Sequence, residues 1–85
     1  MIIIRTVDFD SSLNKLPRGI KALYEKQEEI FKKYWRDSRL HIKKIRSLES
    51  AYSLRITRRY RAFFYFHTTD AAVFFEIDHR KDVYR

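Results

Sequence analysis

Residues 52–66 read YSLRITRRYRAFFYF, and residues 71–78 continue as AAVFFEID. From Tyr52 the side chains alternate, with Leu54 and Ile56 on one side and Ser53 and Arg55 on the other. A period of two built from β-branched and aromatic residues specifies a half-buried strand. Thr57-Arg58-Arg59 supplies a tight turn into a second strand, Tyr60 to Phe66, and Thr68-Thr69-Asp70 a turn into a third, Ala72 to Asp78. The stretch predicts an antiparallel meander whose buried layer is Leu54, Ile56, Ala62, Phe64, Phe66, Val73, Phe75 and Ile77. A three-residue first turn sets Arg55 opposite Arg61 on the other face, with Phe63, Tyr65 and Glu76 nearby. A two-residue turn would pair Arg61 with Ile56 instead, so the register of this hairpin decides what the open face carries.

Upstream, Ile2-Ile3-Ile4 reads as a short buried strand. Asp10 and Ser11 are N-cap residues for a brief helix carrying Leu13 and Leu16. Pro17 opens a second helix, where its missing N–H is tolerated. There Ile20, Leu23, Gln27, Ile30, Phe31, Tyr34 and Trp35 recur at steps of three and four, a stripe meant for a core. Lys21, Glu25, Glu28, Lys32 and Arg36 lie on its other face, and the helix is expected to end between Arg36 and Ser38. Residues 39–50, RLHIKKIRSLES, have no period and read as an irregular connector anchored by Ile42, Ile45 and Leu48. The order is strand, two helices, three strands. It predicts a single α+β domain over residues 1–85, a helix pair on one face of an antiparallel meander and the other face open.

The 85 residues carry 19 Lys and Arg against 11 Asp and Glu, a net charge of +8. Residues 31–61 hold eleven of those bases against only Asp37 and Glu49, whereas the flanking segments are close to neutral. A surplus concentrated in one third of the chain is the footprint of a phosphate-binding surface, or of a solvated basic face kept for solubility. The absence of cysteine excludes disulfide, iron–sulfur and thiolate zinc sites. The lone glycine, Gly19, excludes glycine-rich phosphate loops. His41, His67 and His79 form no metal-ligand pair, and no serine lies in a nucleophile elbow. No apolar run approaches the ~20 residues that span a bilayer. We therefore expect a cytoplasmic protein with no membrane partner, no metal and no small-molecule cofactor.

Metal-free acid–base chemistry on a phosphodiester remains open. Cleavage of RNA by its own 2′-hydroxyl needs one proton taken, one returned, and extra charge stabilised on the phosphoryl oxygens. Arginine suits the last task because it stays charged and grips phosphate in a fork. Arg55 and Arg61 are the first candidates, the plainer reading being two solvent-facing strand arginines. His79, Arg80 and Tyr84 form a terminal cluster with the chemistry for acid, phosphate grip and leaving-group protonation; the plainer reading is a polar tail. His41 and Glu76 are candidate bases, and His67 is assigned to structure. Lys43, Lys44, Arg46, Arg58 and Arg59 would supply diffuse phosphate contacts or solubility.

LPRGIKAL (16–23), YSLRITRRYRAFFYF (52–66) and the ending DHRKDVYR (78–85), in this order, resemble the RelE/ParE superfamily of toxins from type II toxin–antitoxin systems. The most specific parts are Leu16-Pro17, the Arg55 to Tyr60-Arg61 spacing and the HRKDVYR ending. The resemblance spans nearly the whole chain and implies a RelE-like fold and a cognate antitoxin as partner. Its RelE-like branch implies a ribosome-dependent, metal-independent endonuclease of mRNA, with Arg55, Arg61 and Tyr84 matching functional positions and Arg80 lying near another. Ser53 stands where some RelE-like nucleases carry lysine. The general base differs among branches, leaving His41, Glu76 and His79 as candidates. The ParE-like branch implies instead a toxin that poisons DNA gyrase by protein binding, without nuclease activity.

Overall fold

The structure, a computed structural model, describes residues 1–80. Strand β1 (Ile2–Arg5) leads into helices α1 (Val7–Asn14) and α2 (Arg18–Lys33). A 3-10 turn (Ser38–Leu40) and a two-residue strand β2 (Lys43–Lys44) then precede the meander β3 (Ala51–Arg55), β4 (Tyr60–Thr68) and β5 (Ala71–His79). The sheet order is β1-β5-β4-β3-β2. β1 pairs with β5 in parallel, the arrangement that a crossover through helices permits, and every other pairing is antiparallel. The expected α+β layout holds, enlarged by β2 within the segment read as irregular. β1 is not buried on both faces, however: Ile3 packs on the core while Ile2 is 62% exposed.

α1 starts earlier than expected. Thr6, in extended conformation, caps it by accepting a hydrogen bond from the Phe9 N–H at 3.1 Å. Asp8 and Asp10 therefore lie in its first turn, where carboxylates complement the helix dipole, and Asp10 pairs with Arg5 at 3.0 Å. α2 is rotated from the expected stripe. Tyr24 and Phe31 are its buried residues, Ile20 and Ile30 pack at the margin, and Leu23 and Tyr34 are exposed. It ends at Lys33, three residues short of the expected range, because Tyr34 is already extended.

The core between helices and sheet is aromatic. Phe74 meets Phe9, Phe31 and Phe64 with ring centroids 5.0–5.7 Å apart, mostly edge-on. On the sheet side Leu54, Ile56, Ala62 and Phe64 are buried as expected. β5 departs from the expected alternation. Phe63 pairs with Glu76 but Phe64 pairs with Phe74, so Phe75 is an extra residue, a β-bulge. Ala72 and Phe74 consequently face the helices, and Ile77, beyond the bulge, does too. Val73 and Phe75, expected in that layer, lie on the opposite face; Val73 is buried there all the same, and Phe75 meets the rings of Phe63 and Tyr65.

Candidate functional site

The β3–β4 connection is the three-residue turn that the site requires. Ile56 and Thr57 both donate backbone hydrogen bonds to the Tyr60 carbonyl, at 2.9 and 3.2 Å. The Thr57 hydroxyl accepts from the N–H groups of Arg59 and Tyr60 at 3.1 and 3.2 Å. This side-chain closure fixes the turn. Arg55 is thereby paired with Arg61, and Arg61 with Asp78, forming one row across three strands. The Arg80 N–H donates to the Arg59 carbonyl at 2.7 Å, tying the end of β5 to the same turn.

Above this row lies a hollow of about 70 Å³ lined by His41, Lys43, Ser53, Arg55, Thr57, Arg58, Arg61 and Arg80. Five cations and a histidine converge there. Arg61 Nη2 donates to Asp78 Oδ2 at 2.8 Å, its guanidinium lies 5.1 Å from the Phe63 ring centroid, and its Nε is buried without a partner. Like charges directly opposite in a sheet repel, so the row favours an anion between them. Ser53, only 2% exposed, forms the floor and pairs with Lys43 of β2.

The far wall is held by α2 and the 3-10 turn. Gln27 Nε2 donates to the carbonyls of Arg39 (3.0 Å) and Arg55 (2.9 Å), stapling the turn to the end of β3. Asp37 caps the turn, accepting from the Arg39 N–H at 2.9 Å and from its guanidinium. Those hydrogen bonds, the side-chain ones foremost, hold the Asp37 carboxyl down to about 2. His41 follows in the left-handed region at φ 47°, which turns the chain into β2.

Of the residues singled out in the sequence, His41, Lys43, Arg55, Arg58, Arg61 and Arg80 line the hollow. The others are placed elsewhere. His79 is stacked on Tyr60, centroids 4.3 Å apart and nearly parallel; its pairing puts it on the opposite face from Arg61 and Asp78. Lys44 pairs with Tyr52 and lines a separate hollow with Trp35 and Arg36. Arg46 is exposed in the β2–β3 loop, and Arg59 sits on the turn with its carbonyl bound to Arg80. Glu76 is on the open face one row along, opposite Phe63. Tyr84 lies outside the described residues. His67 is the unpaired residue at the second irregularity of β4. The sequence pattern does not mark Gln27 or Asp78 as part of a site. A glutamine within an apolar stripe was the available signal for the first; the second depends on cross-strand register.

No metal-binding cluster of three or more His, Cys, Asp or Glu occurs among the described residues, and no helix there is long and apolar enough to cross a membrane. No protein-family profile matches the chain, and no curated protein sequence matches it. Solved structures do resemble it. The RelBE2 toxin–antitoxin complex of Mycobacterium tuberculosis contains a chain 26% identical, with TM-score 0.67, covering 93% of this chain and 96% of that one. The RelB–RelE antitoxin–toxin complex of Methanococcus jannaschii gives 24% identity and TM-score 0.75 over 92% of this chain and 91% of the other. The YoeB/ParE toxin of Agrobacterium tumefaciens gives TM-score 0.77 at 9% identity, over 94% and 99%. The chain has the fold of the RelE/ParE superfamily, the family that its motifs resemble.

Proposed function

We propose that this protein is the toxin of a toxin–antitoxin pair and that it cuts mRNA on the ribosome in the cytoplasm, without a metal. The observation that carries this reading is the cationic cleft, in which Arg55 and Arg61 oppose each other in register beside His41, Lys43, Arg58 and Arg80. The cleft suits one phosphodiester. Arg55 and Arg61 grip its non-bridging oxygens and offset the charge that grows there in the transition state. His41 is the base that the geometry favours, since Glu76 lies a row away and His79 on the other face. It takes the proton of the 2′-hydroxyl as that oxygen bonds to phosphorus. The bond from phosphorus to the 5′-oxygen breaks, and the leaving oxygen takes a proton from the Tyr84 phenol, the role the resemblance implies for it. The products are a 2′,3′-cyclic phosphate and a 5′-hydroxyl. A cognate antitoxin is the expected protein partner, as solved RelE relatives are seen in complex with RelB.

Induction of the wild-type gene is expected to arrest growth and to produce cuts within translated codons, mapped by primer extension. Arg61→Ala and Tyr84→Phe each remove a transition-state contact and should slow cleavage by roughly 10²–10³ while leaving the circular dichroism spectrum unchanged. Growth arrest that persists in both variants, with uncut mRNA and an induced DNA-damage response, would select the gyrase-poison reading instead.

A further inference from the structure

The open sheet face has two halves of different chemistry. Along β4 the residues Arg61, Phe63 and Tyr65 share this face. The cationic cleft occupies the Arg61 end. At the other end Tyr65 is 40% exposed, and the bulge brings the Phe75 ring to 5.8 Å from it. With Leu48 and Ala51 these rings line a hollow of about 310 Å³, rimmed by Glu49. Without the bulge, Phe75 would point toward the helices. Interrupting the ladder to re-aim one aromatic ring is a recurrent device beside binding sites.

The two halves are continuous. From Arg61 to Tyr65 is four strand residues, roughly 13 Å. A single strand whose helical rise is 3.4 Å per residue covers that distance in about two to four nucleotides, according to how far it is unstacked. Glu49 at the aromatic end and Glu76 on the middle row disfavour an acidic peptide there. Uncharged flat rings suit it, because exposed aromatic side chains beside a cationic groove are the usual platform for unpaired bases. We infer that Tyr65 and Phe75 form a stacking platform for one base of the RNA strand whose scissile phosphate lies between Arg55 and Arg61. This rests on the nuclease reading above and adds to it a base-binding subsite.

The test uses ribosomes programmed with mRNA carrying a single abasic nucleotide at successive positions, up to four, on either side of the cut phosphate. Single-turnover cleavage by the full-length chain is compared with that of Tyr65→Ala and Tyr65→Phe. On intact codons Tyr65→Ala should be slower by roughly 5- to 140-fold, the loss of one stacked base, and Tyr65→Phe close to wild type. At one abasic position the wild type should fall to the level of Tyr65→Ala, which itself loses nothing further. The abasic series reads the same contact without altering the protein, so it stands even where a variant folds poorly. Losses that add at every position, or normal cleavage by Tyr65→Ala, overturn the platform and leave the nuclease reading intact. Normal cleavage combined with lost neutralisation by a protein partner overturns it in favour of a protein interface. Failure of the wild type to cut intact codons overturns both.

Discussion

Arg55 and Arg61 stand directly opposite each other across the β3–β4 ladder, and Arg61 is held by Asp78 at 2.8 Å. The arginine pair by itself is unfavourable for the free protein, since like charges in this position repel by roughly 0.2–1 kcal/mol, and Asp78 works against that repulsion. Stability and anion binding therefore oppose each other at this row.

Arg55→Gln should raise the thermal midpoint of the free protein by a few degrees, on the scale of about 4–8 °C per kcal/mol for a domain this small. Asp78→Asn should lower it, by no more than the ~1 kcal/mol expected of a half-exposed pair. Both changes should shrink as salt is raised, because the interactions are screened. Calorimetry at low and high ionic strength checks the opposite signs. A lowered midpoint for Arg55→Gln would mean that the two arginines are not in repulsive contact.

This row was legible up to the length of one turn: three residues set Arg55 opposite Arg61, and Thr57, by closing a turn of that length, fixes the register of the β3–β4 pair. β5 was not legible in the same way. In AAVFFEID both Ala72–Phe74 and Val73–Phe75 are apolar pairs at a spacing of two, so the pattern fits either face. Only packing against Phe9 and Phe31 selects Phe74. α2 presented the same ambiguity between Leu23 and Tyr24, resolved by a hydroxyl that reaches Glu28. A two-residue strand such as β2 carries no periodicity at all. Within the site, the cations were visible as charge in the sequence, whereas Gln27 and Asp78 act through partners far along the chain.

Gln27 offers a second prediction. Its amide donates both hydrogens to carbonyls, those of Arg39 and Arg55, and so sets how close His41 comes to the arginine row. Gln27→Leu keeps the bulk but strips both carbonyls of a donor, at a cost of roughly 1–3 kcal/mol. Gln27→Glu puts carboxylate oxygens against those same carbonyls and should be less stable still at neutral pH. Thermal unfolding should rank the proteins Gln, then Leu, then Glu, and cleavage rates should follow that order. A Gln27→Glu protein as stable as wild type would show that the amide hydrogens are not what holds the turn to β3.

The third prediction concerns pH and the helix–sheet core. Tyr24 is fully buried, and its hydroxyl donates to Glu28 Oε2 at 2.7 Å while Arg5 Nη1 donates to the same oxygen at 3.3 Å. Burial foremost, and then the hydrogen bond and charge of Glu28, push the phenol far above its ordinary value near 10. The folded chain thus keeps a proton that the unfolded chain releases as pH rises past about 10. Where the unfolded state binds fewer protons, stability falls with pH, here by up to about 1.4 kcal/mol per unit from this one group. Tyr24→Phe should be less stable at pH 7 by roughly 1.5–3 kcal/mol, the worth of a hydrogen bond to a carboxylate. It also lacks the titration, so its deficit should narrow steadily between about pH 9.5 and pH 11. Urea denaturation of both proteins across that range measures the gap directly. A gap that stays constant would show that Tyr24 ionises as readily in the folded chain as in the unfolded one, and the buried Tyr24–Glu28 contact would then not hold the proton.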